Sequence, residues 1–221
     1  MKVLHRPIAP TCLALKDYNI HEFSSLSQGQ KRAIWRSLTE MQNTFCAYCE
    51  KKIIKNHRQI EHFYPKGDTP DGVHSYKQLT FEWENLFGGC TESEHCGQHK
   101  DREGELTPKP YSPDNLIKPD TTDASDILSF TESGEVIVLG DLEESKAFKG
   151  RETIRVFNLN NPALVDSRKE IIASFNIRLK GILELAEEIP DNEFADHMDE
   201  LTRDISQSEH HTAIKAVLLC Q

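Results

Sequence analysis

No stretch of this 221-residue sequence approaches the roughly 18 to 20 consecutive apolar residues that a membrane-spanning helix requires. Its first ten residues hold His5 and Arg6 where a secretory leader would carry its apolar centre. These absences lead to the expectation of a cytoplasmic chain with no membrane partner. Positive charge is also short, with 26 Lys and Arg against 36 Asp and Glu for a formal net charge of -10, which argues against a surface that grips nucleic acid everywhere. Glycine and proline number only 11 and 10, and there is no internal repeat, so collagenous and low-complexity classes are excluded. What remains is an ordinary folded protein, either one domain or a small module with an annex.

The charge that is present is unevenly placed. Residues 1–110 carry 15 basic and 14 acidic side chains, whereas residues 111–221 carry 11 and 22. The first region can still present a local basic patch, but the second would be repelled by phosphate and suits solvent or a protein partner. The sequence thus divides into a module over 1–110 and an acidic, mainly helical region over 111–221 for packing and partner docking. Residues 107–126, rich in Pro, Asp and Thr, look like the link between them.

Apolar residues Leu26, Ala33, Ile34, Leu38 and Met41 fall at helical spacing, with Ser27 as a cap, and predict one helix within 24–41. A tight knuckle, Phe45-Cys46-Ala47-Tyr48-Cys49-Glu50, follows it. Gln59 to Tyr64 has the branched and aromatic content of a short strand that Pro65 stops, and Leu79 to Phe87 reads as a second strand ending in Gly88-Gly89. Further on, 127–130 and 135–139 flank Glu132-Ser133-Gly134 as a hairpin. Asn161-Pro162 caps a long helix whose apolar face runs from Leu164 through Phe175 to Ala186, and two more helices follow around Phe194 to Ile205 and Ile214 to Leu218.

Six cysteines in a reducing compartment are better read as metal ligands than as disulfides. Cys12 and Cys220 stand alone. Cys46-x-x-Cys49 and Cys90-x5-Cys96 make a four-thiolate set, and a two-residue gap lets both sulfurs of a knuckle reach one tetrahedral Zn2+ at about 2.3 Å. Such a filled site has no open position and would be structural. Between and beyond the pairs lie Glu61-His62, Asn85 and His99. Singly, these residues are commonplace, but in this order through cysteine knuckles they match what a strand, strand, helix metal-nuclease finger requires. Lys51, Lys52, Lys55, Arg58 and Lys66, opposed over that interval only by Glu61, add a basic patch suited to phosphate, to which Lys100 belongs as well.

Cys46-Ala47-Tyr48-Cys49-Glu50, Ile60 to Lys66, Trp83 to Phe87 and Cys90 to Lys100 together resemble an HNH endonuclease. More narrowly, the pattern is similar to the PtuB-like nuclease subunits of Septu-type and retron-associated anti-phage defence systems. These motifs span Cys46 to Lys100, about a quarter of the chain. The resemblance implies an α+β protein: a small zinc-stapled ββα-metal finger with an N-terminal helix and a mostly helical C-terminal region. It further implies His62 as general base, Glu61 as first ligand of a catalytic Mg2+ or Mn2+, Asn85 as the residue orienting the base, and an ATPase subunit as partner. The third HNH position departs from the pattern, because Gly97 follows the last cysteine where Asn or His is common. His99 is the substitute expected to serve as catalytic residue and metal ligand, with Gln98 and Asp101 as alternatives.

Physical chemistry agrees with that assignment, since a neutral imidazole can activate water near neutral pH and a hard cation with few protein ligands can stabilise the departing oxygen. The rival reading is a zinc-stapled adaptor that binds nucleic acid or protein without cutting. A redox protein built on Cys46-x-x-Cys49 fits less well, because no thioredoxin-like strand and helix pattern surrounds it.

Overall fold

The computed structural model describes residues 1–67, 75–102 and 110–219 of the chain. The protein is α+β, mostly helical with two small sheets, and divides into two compact units. The first comprises Met1–Ile127 with Val138–Leu159, the second Leu128–Ile137 with Asn160–Gln221.

In the first unit, helix α1 (Gln28–Gln42) begins at Ser27 in a full capping box: Ser27 Oγ accepts from Gln30 N, and Gln30 Oε1 accepts from Ser27 N. It buries Ile34, Leu38 and Met41, as the periodicity predicts. The last residue of α1, Gln42, does something the pattern does not show. Its side-chain amide accepts from Gly88 N at 2.9 Å and donates to Gly88 O at 2.8 Å, as a neighbouring strand would.

Strand β1 (Arg58–His62) pairs antiparallel with β2 (Leu86–Cys90), in a register that sets Glu61 opposite Phe87 and His62 opposite Leu86. The second strand therefore starts later than predicted and runs through Gly88-Gly89 instead of ending there. Residues 77–79 and 83–85 form short 3-10 turns before it. The glycines answer to crowding: a side chain at Gly88 would meet the Gln42 amide at 2.8 Å and Trp35 at 3.1 Å. Helix α2 (Cys96–Lys100) is the next element after a five-residue loop, and α3 (Glu144–Val156) belongs to the same unit.

Residues 110–126 are packed rather than a free link. Tyr111, Leu116 and Ile117 are buried, Ile117 N donates to Thr153 Oγ1 on α3, and Leu4 N donates to Pro119 O. Residues 107–109, the start of the predicted link, lie outside the described residues, as do 68–74 of the loop after β1 and Cys220.

The second unit holds the predicted hairpin, β3 (Leu128–Phe130) and β4 (Val136–Val138), up to Ile137. Gly134 takes a φ of 89° there, and an added side chain would overlap the backbone of Val165. Helix α4 (Pro162–Leu185) starts at Asn161, whose Oδ1 accepts from Ala163 N. It packs with α5 (Asp191–Ser206) and α6 (His211–Leu218) around Ile172, Phe175, Leu201, Ile205, Ile214 and Val217. The apolar face of α4 stops short of its predicted end, since Leu183 is 52% exposed. No described helix is long and apolar enough to cross a membrane.

Candidate active site

The cysteine group is assembled from three local structures. Phe45 bridges Lys52, Cys46 N donates to Lys51 O, and Glu50 N donates to Cys46 O, so the first pair sits in a tight hairpin turned by Glu50 at φ 61°. Cys90 ends β2. Cys96 opens α2 with a φ of 61°, its N donating to Phe157 O. This left-handed turn at Cys96 closes the long five-residue gap.

All four sulfurs are buried and lie within 4.8 Å of one another, which makes the group able to hold a metal ion. The Cys46 and Cys96 sulfurs are 3.8 Å apart, about the edge of a tetrahedron of thiolates with 2.3 Å bonds. The buried ring of His95 places Nδ1 at 3.2 Å from Cys96 Sγ and 3.8 Å from Cys90 Sγ, where its N–H can offset thiolate charge. Burial pushes the Cys49 and Cys96 thiols up, whereas hydrogen bonds from the neighbouring thiols pull Cys90 down. Four such groups cannot all ionise at this distance without a cation among them.

Beside this group, β1, β2 and α2 bring Glu61, His62, Asn85 and Lys100 together. The His62 ring is 4% exposed, edge-on to Phe23, with Nε2 at 3.0 Å from Thr80 O. A carbonyl oxygen only accepts, so Nε2 carries the proton and Nδ1 keeps its lone pair. Burial, with Lys66 nearby, pulls the His62 pKa down to about 3 and holds the ring neutral. Asn85 fixes the chain that leaves β1: Oδ1 accepts from Tyr64 N at 2.7 Å, and Nδ2 donates to Tyr64 O and Leu79 O. The turn that carries Asn85 is itself clamped by Arg6, which donates to the carbonyls of Trp83, Glu84 and Leu86.

Glu61 is buried, and burial raises its pKa to about 7 against the opposing pull of Lys100. Its Oε2 accepts from Gln59 Nε2 at 3.3 Å, while Oε1 has an ion-pair contact at 3.2 Å with Lys100 Nζ but no aligned hydrogen bond. The carboxylate lies directly on Gly97, where an added side chain would stand 2.6 Å from Oε1 and closer still to Oε2. A glycine at this position thus makes room for Glu61. Lys100 is fully enclosed and also contacts Asp101 Oδ1 and donates to His62 O at 3.1 Å. Burial alone would pull its ammonium down, and Glu61 and Asp101 more than offset this, so the net shift is upward.

Two expectations need correcting. His99 turns away from Glu61: its Nδ1 donates to Val156 O at 2.9 Å, while Gln98 and Asp101 line the small open cleft with Glu61, His62, Lys66 and Gly97. Lys100 cannot touch phosphate, because it is enclosed. Of the other basic residues, Lys66 lines the cleft, Lys52 and Lys55 are exposed, Lys51 is half-buried, and the Arg58 guanidinium lies 4.1 Å over the Trp35 ring. Sequence reasoning missed the roles of Gly97, Lys100, His95 and Gln42. Gly97 had a readable signal, since glycine within a helix is unfavourable without a packing reason.

Together these features define an α+β unit in which an antiparallel strand pair and a following helix share a metal-capable cysteine group and enclose a Glu-His pair. No family model matches the chain. It is 27% identical over 175 residues, 76% of each chain, to a retron Vc95 protein of Vibrio cholerae serotype O1 biovar El Tor named as a candidate HNH endonuclease. It is 28% identical over 191 residues to the Septu protein PtuB of Bacillus thuringiensis, covering 83% of this chain and 65% of that protein. The similarity to these two proteins extends over most of the chain, beyond the quarter that carries the motifs.

Proposed function

We propose that the chain is a cytoplasmic, metal-dependent HNH endonuclease that hydrolyses nucleic-acid phosphodiesters as the effector of an anti-phage complex with an ATPase subunit. The observation that carries this reading is the placement of His62: it lines the cleft beside Glu61 and Lys66, and its Nε2 stands 3.0 Å from Thr80 O, which leaves Nδ1 as the nitrogen to take a proton from water. Asn85 holds the backbone that aims it. Lys66 stands at the cleft to meet a phosphate.

The four cysteines fit structural Zn2+ by donor type, burial and sulfur spacing, and the unit is then a zinc-stapled ββα-metal finger. Glu61 and Asp101 offer the hard oxygen donors that Mg2+ or Mn2+ prefers, with Asp101 taking the place foreseen for His99. Such an ion would supply charge stabilisation for the departing oxygen. The acidic second unit is the dock for the ATPase, a role supported by the relatedness to PtuB and by the exposure of Ile177 and Leu183 on α4.

One observation favours the rival, a zinc-stapled adaptor that does not cut: the Lys100 ammonium already stands at the Glu61 carboxylate. Incubating the purified chain with DNA and with RNA in Mg2+ or Mn2+, alone and with the ATPase and nucleotide, separates the two. Cleavage lost in a folded His62→Ala variant supports the nuclease, and equal cutting by that variant rejects the assignment of His62.

A further inference from the structure

We propose that Lys100 is the resident cation of this cleft, so that a divalent ion reaches Glu61 only in competition with it. The inference rests on the nuclease reading and adds a positioning residue to it. Lys100 Nζ lies 3.2 Å from Glu61 Oε1, 2.5 Å from Asp101 Oδ1 and 3.1 Å from the His62 carbonyl, with its side chain wholly shielded from solvent. One ammonium therefore contacts both carboxylates that line the cleft and the backbone of the residue placed as the base.

The surroundings leave little room for a second cation beside it. Among the described residues, the four cysteines are the only cluster of three or more Cys, His, Asp or Glu side chains close enough to share an ion. Among the described residues no third carboxylate or imidazole joins Glu61 and Asp101 closely enough to share an ion, and Gly97 contributes no side-chain donor. A divalent ion on Glu61 would face the ammonium across a few ångströms of buried space, where screening is weak.

The sign of the effect follows from the charges. Removing the ammonium makes Glu61 hold a proton more tightly, which opposes metal binding. The divalent ion is repelled about twice as strongly as a proton by the same charge, so the net result is tighter metal binding. Lys100 keeps the free protein poor in metal. Phosphate oxygens entering past Lys66 bring compensating negative charge.

The test measures Mn2+ binding directly, by the electron paramagnetic resonance signal of free Mn2+, in the zinc-loaded 221-residue chain. Lys100→Met is expected to bind Mn2+ at least tenfold more tightly than wild type, Lys100→Arg no more tightly than wild type, and Glu61→Gln is expected to abolish the binding. Lys100→Met binding Mn2+ no better than wild type overturns the proposal. Should Lys100→Met not fold, refolding in excess Mn2+ decides: recovery supports Lys100 as a stand-in for a metal, and failure to recover rejects it. Because this readout needs no cleavage, a protein that binds as expected but cuts nothing refutes the nuclease reading alone. A protein that cuts through His62 while Lys100→Met leaves Mn2+ binding unchanged refutes this inference alone.

Discussion

Replacing Gly97 by Ala tests whether the carboxylate of Glu61 is truly seated on the start of α2. In an exposed helix this substitution is favourable by about 1 kcal/mol, because Ala loses less backbone freedom than Gly. At Gly97 the new methyl would come within 2.6 Å of Glu61 Oε1, so the carboxylate must leave the seat in which it contacts Lys100. Overpacking alone costs about 1–3 kcal/mol, and separating a buried ion pair costs about 3–5 kcal/mol when complete. Allowing for partial relief and the propensity gain, the net is a loss of about 2–4 kcal/mol, or a fall in Tm on the order of 10 °C for a chain of this size. Both tryptophans, Trp35 and Trp83, lie in the first unit, so tryptophan fluorescence reports its unfolding. The same substitution at Gly181 is the control: it lies in α4 with nothing within 4 Å of an added side chain, and it should stabilise by about 0.5–1 kcal/mol, read by far-ultraviolet circular dichroism. If Gly97→Ala melts at or above wild type, as Gly181→Ala should, the Glu61 seat described here is wrong.

On the proposed zinc assignment, Cys49→Ser should lower the metal content found by elemental analysis and lower the fluorescence-reported Tm more than His62→Ala does. His62→Ala is nonetheless not silent, since the ring is buried against Phe23, and about 1–3 kcal/mol is expected. With its folded pKa near 3 against about 6.5 unfolded, His62 binds protons more readily in the unfolded chain, so its contribution is lost as pH falls from about 6.5 toward 3. Glu61, raised to about 7, acts with the opposite sign between about 4.5 and 7, so the comparison is made by difference. Wild type should lose more stability than His62→Gln in urea titrations between pH 6.5 and 4, and parallel profiles would contradict the buried neutral ring. Ile177→Asp, at a position 73% exposed on α4, should leave the fold intact and weaken co-purification with the proposed ATPase partner; undiminished capture would move the proposed dock elsewhere.

Much of the local structure was legible because local chemistry decided it. Ser27 and Gln30 satisfy the first amides of α1, Asn161 and Pro162 do the same for α4, and Gly134 supplies the positive φ that the hairpin requires. The second strand was misplaced because its glycines answer to a distant partner. Gly88 is small for Gln42 and Trp35, some 46 and 53 positions away in the chain, and no window around Gly88 contains that information. Residues 110–126 have the composition of a linker, yet Tyr111, Leu116 and Ile117 are buried, their apolar groups too thinly spaced to show a period.

The site divides along the same line. Cys46, Cys49, Glu61, His62 and Asn85 could be named from their order, since a knuckle and a strand end set them locally. Choosing among Gln98, His99 and Asp101 could not be done that way, because a five-residue helix has no long pattern from which its facing can be read. Its facing is set by Cys96 and Lys100 at its two ends, one in the sulfur cluster and one buried against Glu61. With those two inward, His99 goes toward Val156 and Asp101 toward the cleft. A lysine in a basic segment reads as a phosphate contact until burial shows its ammonium paired with carboxylates. That distinction is a matter of solvation, which composition does not encode, and the Mn2+ competition at Lys100 exposes it to measurement.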